Sequence, residues 1–403
     1  MMTEGMDARR QRGMEIAATS KIRRTGDDWM VPSQTVLGAR YIVAKATQGM
    51  ECTCADFELR GQPCKHIHAV EFVIRRETKP DGTVIETRSA RIAYGAHNWP
   101  AYNRAQCGEK EQFCSLLKEL VSGVRNPEQK RGRPALPLSD LIFSAGFKVY
   151  STVSGRRFMT DLRNAQRAGL INHAPHYNSI FNVLDRESIT PFLLEMVERS
   201  ALPLRTLETQ FAVDSTGFGV NRFYRHFSEK YGKESTRRDW IKLHATIGTR
   251  TNVITAVEVT DNNVNDGTVL PAMVEQTAKN FSVREVSADK AYSTKRNLET
   301  IERVGATPYV PFKLNADGYG DNATWNRLWH FFELNRDQFL TQYHRRSNAE
   351  STFSAMKRKF GETIRSKTKR AQINELLLKV ICHNIVCVIH EMHENGVQAR
   401  FSA

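Results

Sequence analysis

Apolar side chains recur every three or four positions between residues 138 and 202, then every second position between 208 and 261. The first spacing belongs to helices and the second to half-buried strands. Residues 138–202 are therefore expected to be all helical. "ETQFAVDSTGFG" (208–219), "WIKLHATIGTR" (240–250) and "NVITAVEVTD" (252–261) read as three strands. After them the two periods alternate. "NDGTVLPAMVEQTAKN" is a helix, "SVREVSADKAY" a strand, "STKRNLETIERVG" a helix and "ATPYVPF" a strand. Three strands followed by such alternation predict an α/β fold built on a mixed sheet. From about Trp325 the pattern is helical again, and it includes one helix from Tyr343 to a stop at Gly361.

The N-terminal part has another character. Residues 1–28 are polar and expected to be a loose N-terminus. Within 29–90, "ARYIVAKA" reads as a strand and "CKHIHAVEFVIRR" as a helix. Between them Cys52, Cys54, Cys64 and His66 form a C-x-C…C-x-H set. Thiolates and imidazole are the preferred tetrahedral ligands of zinc. A structural Zn²⁺ site would hold together a module too small to fold on its core alone. His68 is a rival for the fourth place. Residues 91–135 read as a linker and a helix ending in a hinge, "NPEQKRGRPALPLSD", and 136–205 as a helical DNA-binding segment. A candidate helix-turn-helix lies between about Arg157 and Arg186, with Gly169 near the turn and a second helix starting near His176. Residues 206–395 form the expected catalytic domain. Cys107, Cys114, Cys382 and Cys387 lack partner ligands nearby and are read as core residues.

Composition narrows the partners. The formal net charge is +14 and the pI about 9.5, which points to a polyanion, nucleic acid first. No 20-residue apolar span stands out and the N-terminus lacks an apolar leader, so no membrane partner is expected and an intracellular site is. Seven cysteines, an odd number, suit reduced thiols or metal ligands better than a disulfide framework.

Two acids follow apolar strands and precede a turn or helix: Asp214 in "FAVDSTGF" and Asp289 in "VSADKAY". Such strand ends are where active sites collect. A third acid, Glu350, sits in the basic stretch "YHRRSNAESTFSAMKRKFG". At helical spacing it shares a face with Tyr343, Arg346 and Lys357. A solvated face with one salt bridge would also fit that stretch alone. Three carboxylates from two strands and a helix can hold two divalent cations beside phosphate-binding bases, and Mg²⁺ suits all-oxygen ligands. Asp261 and Asp266 are read as a turn residue and a helix cap, Glu285 as solvated, and His244 as a core residue or one that supports the site from behind.

These motifs carry a resemblance. Tyr343, two residues, Arg346, three residues, Glu350, six residues and Lys357 reproduce the glutamate-helix signature of one branch of the insertion-sequence DDE transposases. "DSTGF" and "DKAY" resemble the blocks around that branch's first and second Asp. The resemblance covers roughly 208–390 and implies a ribonuclease-H-like core. It implies Asp214, Asp289 and Glu350 as catalytic ligands of Mg²⁺ or Mn²⁺, and Tyr343, Arg346 and Lys357 as DNA-binding residues. The acids lie 75 and 61 residues apart, which leaves little room for the large insertion of some relatives, so no function of that insertion is carried over. "VPSQ", "CTC" and "PCKHIHAV" resemble the SWIM-type zinc finger, with Cys52, Cys54, Cys64 and His66 as ligands. "RGRP" resembles an AT-hook core, with Arg131 and Arg133 entering a minor groove, and equally suits a basic linker. The implied activity is metal-dependent strand cleavage and strand transfer on double-stranded DNA, at element ends and target, by a homodimer in a bacterial-type cytoplasm on the nucleoid. The alternatives are a domesticated zinc-finger regulator without catalysis and a ribonuclease-H-like repair nuclease.

Overall fold

A computed structural model describes residues 8–34, 39–46, 49–77, 98–126, 128, 134–220 and 240–401. Arg131 and Arg133 lie outside the described residues. The chain divides into two compact units, 1–97 and 98–403.

In the first unit, α1 (Ala8–Thr19) precedes β1 (Arg23–Thr25), β2 (Asp28–Pro32), β3 (Arg40–Ala46) and β4 (Gly49–Cys52), and α2 (Ala55–Arg60) and α3 (Lys65–Glu77) follow. The strands form an antiparallel meander in chain order. Trp29, Val31 and Val43 point from it into a small core with Ile67 and Val70 of α3. The expected loose N-terminus is in part a helix. Its polar sequence offers one buried apolar residue, Ile16, and little periodicity. What orders it is contact with α3: a Cβ on Gly13 would fall 2.6 Å from the His68 Cβ, so only glycine permits that approach.

The second unit begins with six helices: α4 (Trp99–Cys107), α5 (Glu109–Val121), α6 (Leu138–Ser151), α7 (Gly155–Arg167), α8 (Tyr177–Leu184) and α9 (Thr190–Ala201). Gly169, just past α7, has φ +73, the left-handed conformation that glycine adopts freely at a helix end. His176 caps α8 by accepting from the Asn178 N–H. Cys107 is exposed at the end of α4, whereas Cys114, Cys382 and Cys387 are buried. The sheet comprises β5 (Gln210–Gly219), β6 (Trp240–Gly248), β7 (Ile254–Asp261), β8 (Glu285–Ala288) and β9 (Thr307–Tyr309) in the order β7-β6-β5-β8-β9. β6 runs antiparallel to both neighbours, and β5, β8 and β9 are parallel. This is the mixed sheet that the pattern predicted. α10 (Leu270–Ala278) and α11 (Lys295–Arg303) make the crossovers.

Four helices close the unit: α12 (Ala323–Leu334), α13 (Arg336–Tyr343), α14 (Ser347–Phe360) and α15 (Lys369–Glu394). The single helix expected from Tyr343 onward is broken by a 3₁₀ turn at His344–Arg346, so Tyr343 ends α13. The stop at Gly361 is observed, with φ +85. α15 corrects the reading that no long apolar span exists. By length and composition it could cross a membrane, but 89% of its apolar window is buried inside the unit. It is the core helix that joins α6 and α9 to the sheet, and one apolar core runs through all of them.

Its few polar positions are spent on specific partners. Asn384, fully buried, accepts from the Ile254 N–H (2.9 Å) and donates to the Ile254 carbonyl (2.7 Å) and Ser200 Oγ (2.9 Å). An alanine there would strand a buried N–H and a carbonyl at the edge of β7. Asn384→Ala is expected to lower unfolding stability by roughly 2–3 kcal/mol, read as a fall in the urea midpoint at unchanged slope.

Candidate active site

The last paired residues of the parallel strands β5 and β8 are Val213 and Ala288. One step further along each strand stand Asp214 and Asp289. The register therefore delivers both acids to the same end of neighbouring strands, where a doubly connected sheet opens its crevice. Asp214 stays in β5, which continues beside β6 to Gly219, and its side chain is 13% exposed. Asp289 leaves the sheet and caps a 3₁₀ turn, accepting from the Ala291 N–H at 2.6 Å.

Arg346 ties Asp214 to the third acid. Its Nη2 donates to Asp214 Oδ2 at 2.8 Å and its Nη1 to Glu350 Oε1 at 2.9 Å. Glu350 lies in the first turn of α14 with its side chain 64% exposed. Burial raises the Asp214 carboxyl above its ordinary value and the neighbouring Asp289 adds to this, while Arg346 and the Ser215 N–H oppose it. The guanidinium is thus the counterion of the most buried acid. Burial also raises the Tyr343 phenol; Arg346 opposes this, and the charges of Asp289, Asp214 and Glu350 add to it. Lys357, two turns beyond Glu350, donates to Thr216 Oγ1 at 2.7 Å and lies over the Phe218 ring. Between β5 and α14 runs an open cleft of about 580 Å³ lined by Asp214, Thr216, Glu350, Lys357, Arg358 and Glu362.

The structure brings Asp214, Arg346 and Glu350 into direct contact, sets Asp289 beside Asp214 by register, and puts Lys357 on the same cleft. Several neighbours differ from their expected roles. Asp266 is no simple cap: Asn265 caps that turn, and Asp266 Oδ1 takes the Lys242 ammonium at 2.8 Å with His244 Nδ1 at 3.5 Å. Asp261 pairs with Lys369. Glu285 is not solvated but half-buried against Arg345. The break before α14 coincides with Arg345 and Arg346 both pairing to acids of the sheet. His244 is fully buried, hydrogen-bonded to Thr260 Oγ1 at 2.9 Å, and burial lowers its pKa. Thr216 was passed over in the sequence, although it lies in the quoted "DSTGF". Only its distance from Lys357 in three dimensions marks it.

The first unit holds a second candidate centre. The ligand atoms of Cys52, Cys54, Cys64 and His66 all lie within 4.8 Å of one another, and all four residues are buried. His66 Nδ1 stands 3.7 Å from Cys52 Sγ and 3.8 Å from Cys64 Sγ, spacings that four ligands around one tetrahedral ion would have. Hydrogen bonds from Cys52 and His66 pull the Cys64 thiol well below its usual range, and Cys52 is pushed up in exchange. His68 turns away and pairs with Glu71 at 3.0 Å. Three buried thiols and an imidazole suit zinc. The three carboxylates of the second unit offer only oxygen and suit Mg²⁺ or Mn²⁺.

The second unit thus has a mixed five-stranded sheet with Asp214 on β5, Asp289 directly after the neighbouring β8 and Glu350 in the first turn of α14. Residues 205–385 match the family model of the transposase DDE domain, and residues 51–74 match that of the SWIM zinc finger. Over those residues the chain is similar to a transposase DDE domain and to a SWIM zinc finger. It is 26% identical over 180 residues to a probable transposase for insertion sequence element ISA1214 from Archaeoglobus fulgidus. That match covers 44% of this chain and 53% of the relative, so the chain spans about half the length of the curated protein it matches. Among solved structures, a piggyBac transposase synaptic complex with hairpin DNA is similar at 11% identity and a TM-score of 0.35, over 72% of this chain and 74% of that one.

The zinc geometry separates His66 from His68. Cys64→Ser is expected to release the metal from purified protein and to unfold the first unit, while His68→Ala retains it. Elemental analysis with circular dichroism checks both. A His68→Ala protein without zinc would remove His66 from the ligand set.

Proposed function

We propose that this chain is an insertion-sequence transposase that cuts DNA at element ends and joins the freed 3′-OH to target DNA. The observation that carries the reading is that Asp214 and Glu350, bridged by Arg346, line one cleft with Lys357 and Arg358, and that strand register sets Asp289 beside Asp214. Asp214, Asp289 and Glu350 would hold the divalent ions, Mg²⁺ or Mn²⁺. When bound, these supply activation of the attacking oxygen and stabilisation of the leaving oxygen of a phosphodiester. The chain's own residues do the rest. Lys357, held by Thr216 against the Phe218 ring, presents an ammonium to a backbone phosphate in the cleft. Burial lowers its pKa, so a phosphate partner would stabilise its charged form. Arg346 neutralises Asp214 and Glu350 in the free protein and is placed to turn toward phosphate once those acids have other counterions. The Lys242–Asp266–His244 group ties β6 to the turn after β7.

A regulator without catalysis is the weaker reading. It has no use for two acids held so close that one arginine must offset both. DNA is the partner that net charge +14 favours. A homodimer on DNA, acting on the nucleoid, and an AT-hook contribution from Arg131 and Arg133 belong to the same proposal.

Two measurements bear on it. In an end-cleavage assay with Mg²⁺ on the termini flanking the coding region, Asp289→Ala is expected to lose strand cleavage while still binding DNA. Alanine at Asp214 or Glu350 should lose it to a similar degree, since residues acting as a unit are not additive. Cleavage by Asp289→Ala at the wild-type rate would overturn the reading. Separately, Lys357→Ala should flatten the salt dependence of DNA binding by about one unit of logarithmic slope, the loss of one phosphate contact. An unchanged slope would make Lys357 a structural partner of Thr216 only.

A further inference from the structure

A second cavity of about 470 Å³ lies in the same unit, walled by α6, the start of α7, α8, α15 and the segment after Phe360. Its charge is unbalanced. Lys148, Arg157, Arg365 and Lys379 line it, against the carboxylate of Glu375. Glu375 is already spent: its oxygens accept from the Arg365 N–H (3.0 and 3.1 Å) and the Ser366 N–H (2.8 Å). Lys379 is spent as well, donating to the carbonyls of Gly361 (2.7 Å) and Thr363 (2.9 Å). Lys148 is different. It is 8% exposed, and its ammonium has no hydrogen-bond acceptor among the described residues. A buried unpaired charge is costly. Burial, reinforced by Arg365, pushes Lys148 down to about 8. The first turn of α7 adds N–H groups, because Ser154 at its N-cap makes no side-chain capping bond. Arg365 uses one nitrogen on the Val153 carbonyl, and Arg157 is exposed at the rim.

We propose that this pocket binds a backbone phosphate of a DNA strand, at a site separate from the cleft of the three acids. Lys148 supplies the buried charge, the α7 N-terminus the backbone donors, and Arg157 and Arg365 the outer contacts. Two further observations favour a nucleotide over free phosphate. Phe181 on the wall is 43% exposed, an aromatic face on which a base or sugar can stack. It lies so close over Gly155 that a Cβ there would meet its Cζ at 2.9 Å. The pocket also joins the two helices read as a DNA-binding pair to the segment that leaves α14. Glu362 lines the acid cleft and Arg365 and Ser366 line this pocket, so one short segment borders both.

The inference rests on the chain acting on DNA, and its test does not need cleavage. Lys148→Met keeps the buried stem and removes the charge; Arg365→Gln is the second variant, in case the first folds poorly. With full-length protein and a short fluorescent duplex, the wild-type logarithmic salt slope should fall by about one unit in either variant. Inorganic phosphate at matched ionic strength should raise the wild-type melting temperature, and Lys148→Met should abolish that rise. An unchanged salt slope in both variants overturns the proposal. Abolished phosphate stabilisation with an unchanged DNA slope overturns the DNA assignment. If Asp289→Ala still cuts DNA, the catalytic reading fails while both arms remain readable.

Discussion

The parallel pairing of β5 with β8 is the constraint on which the rest of the second unit depends. A one-residue slip of a strand sends every side chain to the opposite face. Here it would turn Asp214 and Asp289 away from each other, and no side-chain adjustment could restore them. The register is held by apolar residues. Phe211 and Val213 of β5 and Val286 and Ala288 of β8 are all buried in one core. Glu208, ahead of β5, adds a polar clamp by accepting from the Arg250 and Thr251 N–H groups at the turn after β6. The placement of the two acids is therefore a by-product of hydrophobic burial one and three residues away.

Once the two strands deliver their acids, electrostatics demands a response. Three carboxylates near one cleft repel one another, and desolvation of Asp214 worsens this. Arg346 answers it with one guanidinium shared between Asp214 and Glu350, a fork geometry that a lysine could not supply. The same pairing accounts for Glu350, one acid within a basic stretch. Glu350 is spaced from Arg346 by one helical turn, so that one guanidinium reaches both Glu350 and Asp214 of β5. The bases around it are not merely a solvated face, since Arg345, Arg346 and Lys357 each have a partner on the sheet.

How much of this was legible in the sequence follows from how local each signal is. Strands β5 to β9 were legible because alternation is a property of neighbouring residues. The three acids were legible because a strand followed by an acid and a turn is also local, and the helix signature has fixed spacing. The ion pairs were not. Asp266 and Lys242 are 24 residues apart, and Arg345 and Glu285 are 60 apart. Nothing near Asp266 or Glu285 in the chain announces a partner, so one reads as a helix cap and the other as a solvated acid. α1 was missed for a related reason: its order comes from Gly13 fitting against α3, and glycine in a polar stretch is normally a sign of looseness. The breadth of α15 was underestimated because His383, Asn384 and Lys379 interrupt its apolar run, yet each of these is itself buried or paired.

The first unit shows the opposite balance. Its core contains Ile16, Trp29, Val31, Val43, Ile67, Ala69 and Val70, and the other buried members are Cys52, Cys54 and Cys64 themselves. Seven apolar side chains around a short meander are too few to offset the conformational entropy of ordering it. The thiols, being buried, would need a partner for their charge before they could ionise. A metal ion would meet both needs, since binding of structural zinc is worth roughly 10–16 kcal/mol and is realised only on folding. The same residues then act as core when viewed by burial and as ligands when viewed by chemistry. The two units thus use buried polar groups in opposite ways. In the second, Asn384 and Arg346 refine a structure that apolar burial has already built. In the first, the polar cluster is the structure, and the apolar residues only keep water from it.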